Sequence, residues 1–399
     1  MMRKSVVRYT LESCAKCMTC IRACPTSALS MYNGRIRVDQ ERCINCGKCI
    51  SSCTHKGLLA NGSSLEALKD YDYTVCMVPG ALINDCTDLD QAGELFHAIK
   101  MLGFDEVVDI TDVEGAILKE MYLITDNTDE TASIASFCPV VNALVRDTYP
   151  VLQNNITPVK YPSEVAAARI RKQHEGKNVG IFNLCECESK LALAKHPFDN
   201  PEYETDHALA IVDIFPAVRR NMSGEREDVC FCPDGLRFSN PAMMLQKDEY
   251  LIADGFDKIN SVLNMAEFGL LNKFRLLQLF PCFNGCIGGH LLFGNSFLTR
   301  NNLHQLTSEK SKPAADLSFE EMYSEDVFAR DEDSRSFMER VEWFKTVNAQ
   351  LELLPGYDCS ACGMQTCRLM AEEIAEGRKT LRDCRVLAAM EDRRTDENN

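Results

Sequence analysis

The stretch CAKCMTCIRACP, residues 14–25, carries four cysteines at the spacing C-x2-C-x2-C-x3-C and ends in a proline. The same cysteine spacing returns in CINCGKCISSC, residues 43–53, which Thr54 follows in place of a proline. Short turns between the cysteines aim thiolates and backbone N–H groups at one small inorganic core, and this doubled spacing is typical of two [4Fe–4S] clusters. The two runs therefore predict an iron–sulfur module near the start of the chain.

The two runs are expected to exchange ligands, because in this arrangement the fourth cysteine of each run binds the cluster of the other run. One cluster is then assigned to Cys14, Cys17, Cys20 and Cys53, and the other to Cys24, Cys43, Cys46 and Cys49. Zinc is an alternative because C-x2-C pairs also bind it, although eight cysteines in the crossed pattern favour iron and sulfur. The module resembles a bacterial two-cluster ferredoxin.

The composition narrows the class of protein. The chain has 399 residues, 21 cysteines and a formal net charge of −16. That charge makes nucleic acid an unsuitable partner, and no apolar run in the sequence reaches membrane-spanning length. The first residues carry no apolar core of the kind a signal peptide has, so the cysteines are expected to be reduced and metal-bound in a cytoplasm. Several cubanes in one chain suggest an anaerobic host.

The chain divides into segments of different character. Residues 1–60 form a small α+β ferredoxin-like module, residues 65–300 alternate apolar runs with amphipathic stretches, residues 301–350 form a charged linker and helix, and residues 351–390 form a last compact, mostly helical segment. The alternation predicts an α/β domain with largely parallel sheets. Its predicted strands are Tyr73–Val78, Val107–Ile110, Val179–Leu184, Ala208–Ile214 and Arg275–Phe280, and its predicted helices are Gln91–Leu102, Ser163–Lys172 and Phe256–Leu271.

A third cysteine array lies near the C-terminus. Cys359, Cys362, Cys367 and Cys384 have the spacing C-x2-C-x4-C-x16-C, and a helix between the third and fourth could return Cys384 to the others. Zinc is again the alternative. The stretch LPGYDCSACGMQTCRLMAEEIAEGRKTLRDC resembles a small single-cubane domain of redox and hydrogen-sensing proteins, which implies one more [4Fe–4S] cluster.

The middle domain holds cysteines that are scattered over three loops. Cys138 precedes a proline, Cys187 precedes Lys190 by three positions, and Cys282 and Cys286 lie in PCFNGCIGG, residues 281–289. Spacing alone does not define a metal site here, because each cysteine singly is more often a small buried apolar residue. The neighbouring glycines let the backbone approach another group closely, and several of these cysteines follow predicted strands, where α/β sheets present their ligands.

These motifs together resemble the catalytic domain of [FeFe]-hydrogenases, which carries one motif around C-P, one ending in C-x2-K and one of the form C-x3-C-x-G-G. The resemblance implies that Cys138, Cys187, Cys282 and Cys286 hold a cubane and that Cys286 bridges it to a two-iron subsite bearing CO and cyanide. It also implies that Lys190 hydrogen-bonds a cyanide and that Gly288 and Gly289 lie beside the cofactor. The resemblance thus implies an H-cluster held in a two-lobed α/β domain.

Several positions depart from the family pattern. Phe137 stands where fast members carry a proton-relaying cysteine, and a phenyl ring has no proton to exchange. Glu186 replaces a proline, Asn284 replaces a glycine, and Gln278 stands where an acidic residue is common. The loss of the relay cysteine, together with the C-terminal cubane segment, is similar to the sensory branch of the family.

Two functions follow from these features. The first is reversible hydrogen oxidation and proton reduction at low turnover, used for hydrogen sensing, with electrons relayed through the cubanes to a ferredoxin-type or flavoprotein partner or a separate signalling protein. The second is a non-enzymatic electron-transfer or regulatory protein that keeps a cubane but lacks the two-iron subsite. Three cysteines remain ambiguous: Cys185 is a less well spaced alternative to Cys187, while Cys230 and Cys232 are expected to be buried or free thiols.

Overall fold

The computed structural model describes residues 4–126, 132–196, 203–244, 247–308, 310–323 and 337–390. Backbone contacts divide the chain into two compact units. One, here called the cluster unit, joins residues 2–43 and 47–60 to residues 330–399, and the other, here called the α/β unit, consists of residues 44–46 and 61–329. The described residues 4–43 and 337–390 thus belong to the same unit.

The N-terminal half of the cluster unit is built from two short antiparallel pairs of strands. Strand β1 (Val7–Tyr9) pairs antiparallel with β4 (Leu58–Ala60), and β2 (Leu29–Tyr32) pairs antiparallel with β3 (Arg35–Val38). The turn between β2 and β3 is Asn33-Gly34, and both residues have positive φ, as a tight two-residue hairpin requires. The short helices Thr19–Ala23 and Lys48–Ser51 each begin two positions after the second cysteine of a run.

The C-terminal half of the cluster unit is helical. Helix Phe337–Glu352 packs on helix Cys367–Ala375, and a 3-10 turn, Leu381–Asp383, precedes the last cysteine. Thr366 begins the second helix by accepting a hydrogen bond from the backbone N–H of Leu369. Val347, Leu354, Met370 and Cys384 are among the buried side chains that join these elements.

The α/β unit contains two parallel sheets. Its strands are β5 (Tyr73–Val78), β6 (Glu106–Asp109), β7 (Ser133–Ile134), β8 (Val179–Cys185), β9 (His207–Ala210), β10 (Tyr250–Asp254) and β11 (Leu276–Phe280). The first sheet has the order β6-β5-β8-β9, and the second has the order β10-β11-β7. All these pairings are parallel, with Val75 opposite Glu106, Phe182 opposite His207 and Tyr250 opposite Leu276. The mixed α/β content agrees with the predicted fold class.

Helices cover these sheets and connect the parallel strands, as parallel pairing requires. The central strands β5 and β8 are almost wholly buried because helices lie over them. The helices of the unit are Leu65–Asp70, Gly80–Ile83, Leu89–Lys100, Thr111–Asp126, Pro139–Thr148, Pro150–Asn155, Pro162–Gln173, Glu188–Lys195, Ile211–Asn221, Pro233–Phe238, Pro241–Met243, Phe256–Glu267, Gly285–Gly288, Ser296–Thr299, Leu303–Thr307 and Phe319–Met322.

One strand prediction was wrong over half its length. The apolar run Ala208–Ile214 was expected to be extended, but the strand ends at Ala210 and helix Ile211–Asn221 begins there. Ile211, Ile214 and Val218 are buried at the i, i+3, i+7 spacing of one helical face. A short apolar run cannot by itself distinguish a buried strand from the buried face of a helix.

The predicted helix Phe256–Leu271 is shorter than expected. It ends at Glu267, and Gly269 follows with a positive φ. No helix in the described ranges has the length and apolar character needed to cross a membrane.

Candidate metal centre

The scattered cysteines of the α/β unit lie where strands end and new elements begin. Cys187 follows β8 and precedes helix Glu188–Lys195, Cys138 precedes helix Pro139–Thr148, and Cys282 follows β11. Cys286 lies in the 3-10 turn Gly285–Gly288. Cys138 and Cys282 follow the paired strands β7 and β11, whose carboxyl ends lie at one edge of the second sheet. Cys187 follows β8, which belongs to the first sheet.

The structure brings these four thiols into one cluster of interacting groups. Cys282 lies within electrostatic range of Cys286 and Cys138, and Cys187 lies within range of Cys282. Cys286 and Cys138 are likewise neighbours. Four thiols that are far apart in the sequence therefore surround one region of the fold.

Burial raises the pKa of all four thiols above the ordinary value, and the neighbouring thiols and Glu186 add to the effect at Cys282, Cys286 and Cys187. Each of the four nevertheless keeps part of its surface open. These four thiols suit a cubane, because iron binds cysteine in its thiolate form. Bound iron would also remove the free-energy cost of burying the thiols without a partner.

The glycines after Cys286 have a packing role of their own. A Cβ on Gly288 would lie 1.9 Å from the carbonyl oxygen of Phe283, and a Cβ on Gly289 would lie 2.3 Å from the carbonyl oxygen of Glu186. The neighbouring Leu291 donates its N–H to that same Glu186 oxygen at 3.0 Å. The glycines thus let the Cys286 loop lie directly against the Cys187 loop, while their contact with a cofactor remains a prediction.

Lys190 is held by a carboxylate rather than left free. Its Nζ forms a short ion pair with Oε1 of Glu186, and the Glu186 side chain is only 1% exposed. Burial alone would lower the pKa of Lys190, but Glu186, Cys286 and Glu114 raise it well above the ordinary value. The lysine is therefore a cation beside Cys286, with one of its donors already engaged.

Phe137 lies deep in the core next to this pair. Its ring packs against the rings of Phe238 and Phe280, with centroids 5.2 Å and 4.8 Å away. It also lines a small cavity of about 10 Å³ that Glu186 and Lys190 share. A cavity of that size holds about one water molecule. The phenyl group thus narrows the space beside Lys190 and supplies no exchangeable proton.

Glu114 was not singled out by its sequence, yet it is a buried acid in the same cavity. Its Oε2 accepts a hydrogen bond from the backbone N–H of Gly80 at 3.1 Å. Burial raises the pKa of Glu114 to about 8, against the opposing attraction of Lys190. In the sequence, Glu114 lies beside Val113 and three positions before Ile117, which are on the buried face of a helix. That pattern indicates that the position is buried, but it does not indicate a shifted pKa.

We expect Glu114 to make the protein less stable as the pH rises. Its folded-state pKa lies above the unfolded value, so the folded state keeps a proton that the unfolded state releases between about pH 4.5 and 8. In that window the free energy of unfolding falls by up to about 1.4 kcal/mol per pH unit. The Glu114→Gln variant should lose this slope when urea unfolding is compared at about pH 5.5 and about pH 7.5, both of which lie inside that window.

The matched control is Glu66→Gln, because Glu66 is exposed. It should retain the pH dependence of the wild-type chain. A Glu114→Gln variant whose unfolding free energy follows the wild-type pH slope would show that Glu114 is ionised in the folded protein.

Cys185 and Cys187 differ in what surrounds them. Cys185 is fully buried at the end of β8, and the thiol within its electrostatic range is that of Cys76 on the neighbouring strand β5. Cys187 instead lies near Cys282. Cys232 packs at the start of helix Pro233–Phe238, and Cys230 lies on the wall of a surface cleft.

The first predicted ligand set of the cluster unit surrounds a single pocket. Cys14, Cys17, Cys20 and Cys53 all line it. Burial raises the pKa of Cys20 to about 11, and the thiol of Cys53 adds more to that rise than the thiols of Cys14 and Cys17. The N–H of Gly57 donates to the sulfur of Cys53 at 3.2 Å, which is the kind of contact that stabilises a bound thiolate.

The second predicted ligand set is partly gathered. Cys24, Cys43 and Cys49 share one apolar cluster of the cluster unit, and the N–H of Ala28 donates to the sulfur of Cys24 at 3.2 Å. Cys46 lies in the segment Ile44–Cys46, which groups with the α/β unit. Its membership of this set remains a prediction.

In the C-terminal array, Cys362 and Cys384 are electrostatic neighbours, and burial raises the pKa of Cys362. Cys367 begins helix Cys367–Ala375, its N–H bonded to the Asp358 carboxylate, while Cys359 is exposed. Across the described part of the chain, no three His, Cys, Asp or Glu side chains close around a point as a single metal ion would require.

Comparison with known proteins adds three family matches. Residues 6–54 match a 4Fe-4S dicluster domain, residues 78–215 match the C-terminal domain of the iron-only hydrogenase large subunit, and residues 354–386 match an Fe–S cluster domain. Iron hydrogenase 1 of Clostridium pasteurianum is 26% identical over 137 residues, which are 32% of this chain and 23% of that protein. The matched region thus spans about a quarter of the relative.

Solved [FeFe]-hydrogenases are similar to this chain at low sequence identity. A variant of the Chlamydomonas reinhardtii enzyme is 14% identical, with a TM-score of 0.47 over 62% of this chain and 90% of that one. Another, from work on oxygen inactivation of the 2Fe subcluster, is 15% identical, with a TM-score of 0.48 over 62% and 89%. The family matches define an iron–sulfur protein. It is an [FeFe]-hydrogenase-like protein that carries an N-terminal ferredoxin module.

Proposed function

We propose that this chain reacts reversibly with hydrogen at low turnover and serves as a hydrogen sensor. The observation that carries the proposal is the convergence of Cys138, Cys187, Cys282 and Cys286 on one region, with Lys190 beside Cys286. Four thiolates suit a cubane, and Cys286 would also bridge to a two-iron subsite. When bound, that iron centre would supply the site where hydrogen is split into a proton and a hydride.

The residues around the centre have distinct tasks in this proposal. The four thiolates hold the iron, and Gly289 lets the Cys286 loop lie against the Cys187 loop. Lys190 presents a positive charge to the ligands of the iron. Phe137 closes the route by which a side chain would exchange protons with the site, and slow proton exchange is the physical reason for low turnover.

Electrons would leave through the predicted cubanes of the cluster unit, two in the N-terminal half and one in the C-terminal half. A slow reaction whose product is a change in cluster oxidation state suits detection better than metabolism. The partner would be a ferredoxin-type protein, a flavoprotein or a separate signalling protein in the cytoplasm. The chain would then resemble the sensory branch of the family.

A second function is supported by the small cavity. Phe137 and the Glu186–Lys190 ion pair leave about 10 Å³ beside the lysine, and the lysine already has an anionic partner. A chain with those features would hold a cubane but no two-iron subsite. It would then be an electron-transfer or regulatory protein without hydrogen chemistry.

Infrared spectroscopy separates the two functions. We expect the full chain, produced together with the hydrogenase maturation proteins, to show bands of metal-bound CO and cyanide that shift when hydrogen replaces argon. The Cys286→Ala variant should lose these bands because the bridging thiolate is gone. Wild-type protein with cubane signals but no such bands would establish the second function instead.

A further inference from the structure

Two loops of the cluster unit that each carry predicted cluster ligands are joined by one side chain. Gln365, two positions before Cys367, donates its Nε2 to the carbonyl oxygen of Cys24 at 2.8 Å. Its Oε1 accepts a short hydrogen bond from the hydroxyl of Ser27. The amide of Gln365 thus uses both its donor and its acceptor on the N-terminal ligand loop.

The backbones of the two halves also meet. The N–H of Met31 donates to the carbonyl oxygen of Gly363 at 2.8 Å. Gly363, which follows Cys362 directly, has a φ of +86°, and a Cβ there would lie 2.6 Å from the Met31 carbonyl oxygen. A residue with a side chain would be strained at this position and would clash, so the close approach depends on glycine.

Charged and aromatic groups fix the orientation of the contact. Tyr32 donates a short hydrogen bond to Glu373, and Arg378 binds the same carboxylate with two nitrogens, at 2.7 and 2.8 Å. Lys379 lies 4.7 Å from the centroid of the Tyr32 ring and donates to the carbonyl oxygen of Cys362 at 3.2 Å. A bidentate Arg–carboxylate pair gives a defined geometry.

A second ion pair supports the same docking. Arg42, next to the predicted ligand Cys43, binds Glu372 at 2.7 Å, and the Glu372 side chain is largely buried. Burial and Glu373 raise the pKa of Tyr32 to about 12, so Tyr32 remains a hydrogen-bond donor at neutral pH. The contact therefore combines a backbone hydrogen bond, the amide bridge of Gln365 and two ion-paired groups. One group is Tyr32 with Glu373 and Arg378, and the other is Arg42 with Glu372.

We propose that the C-terminal cluster exchanges single electrons directly with the N-terminal cluster that includes Cys24, and that Gln365 positions the two ligand loops for this exchange. In each transfer one reduced cubane loses an electron and the other gains it, with no proton or further reactant. The rate of electron tunnelling falls steeply with distance. Here the two ligand loops are joined by the hydrogen bond from Gln365 to Cys24 and by the short covalent path from Gln365 to Cys367. The C-terminal cluster then extends the N-terminal relay.

This inference rests on the cluster assignments of the proposed function but not on the two-iron subsite. The test is electron paramagnetic resonance of the dithionite-reduced full chain. Neighbouring reduced cubanes interact magnetically, so the wild-type spectrum should be broadened. A Cys362→Ala/Cys384→Ala double variant, which should lose the C-terminal cluster, is expected to lose that part of the broadening and to show slower spin relaxation of the N-terminal clusters.

Gln365→Ala provides the test of positioning. It should keep the iron and sulfide content of the wild-type chain while the magnetic interaction weakens, because the loops are no longer held together. Gln350→Ala, the same change on helix Phe337–Glu352, should leave the spectrum as it is. An unchanged spectrum after verified loss of the C-terminal cluster, or zinc instead of iron in that array, would overturn the inference. The infrared bands of the α/β unit should persist in all these variants, so failure of this inference is distinct from failure of the hydrogen chemistry.

Discussion

Replacing Cys187 by alanine is expected to remove one cubane, about four iron atoms per chain, whereas the same change at Cys185 should leave the iron content unaltered. The two cysteines are two positions apart at the end of β8, but their surroundings differ. Cys187 lies near Cys282 and belongs to the four-thiol cluster, while Cys185 lies near Cys76 on the adjacent strand.

The measurement is iron and sulfide content of the reconstituted full chain, with electron paramagnetic resonance to count the remaining clusters. Cys185→Ala is the matched control, because it removes a side chain of the same size two positions earlier, at the end of the same strand. Equal iron loss in both variants would indicate general unfolding. Iron loss in Cys185→Ala alone would reverse the ligand assignment.

A Phe137→Cys variant should turn over hydrogen faster than the wild-type chain. A thiol at this position would face the cavity shared with Lys190 and Glu186 and could exchange a proton there. Positioned acid–base groups contribute about 10²–10⁴-fold to reaction rates, and a gain in that range is expected if proton exchange limits turnover. The rate is measured as hydrogen uptake with an artificial acceptor, per unit of infrared-detected two-iron subsite.

The substitution also has a structural cost. Phe137 packs against Phe238 and Phe280 in the core, and removal of a buried phenyl group costs about 3–5 kcal/mol. The Phe137→Ala variant opens the same space without a thiol, so it controls for water entry and for lost packing. A rate gain in Phe137→Ala equal to that in Phe137→Cys would assign the effect to water. No gain in either variant would show that proton access does not limit the reaction.

The placement of charge at the site came only from the folded chain. Glu186 and Lys190 are four residues apart, a spacing that allows an ion pair on a helix, but their sequence does not show that the pair is buried. Burial matters because it couples the lysine to Cys286 and Glu114 rather than to water. The same is true of Glu114, whose titration follows from its depth in the core and not from its neighbours along the chain.

The sequence by itself determined the local chemistry: cysteines two or three residues apart must lie close together, and apolar runs such as Tyr73–Val78 and Val179–Leu184 had the composition of buried strands. Those features depend on short stretches of backbone, so spacing and alternation reveal them. The tertiary structure alone decided that Cys187 lies near Cys282 while Cys185 lies near Cys76, that Ile211–Ile214 is helical, and that Gln365 binds the Cys24 loop. Contacts between residues far apart in the chain depend on how whole faces pack, and the free energy of that packing is shared over many side chains.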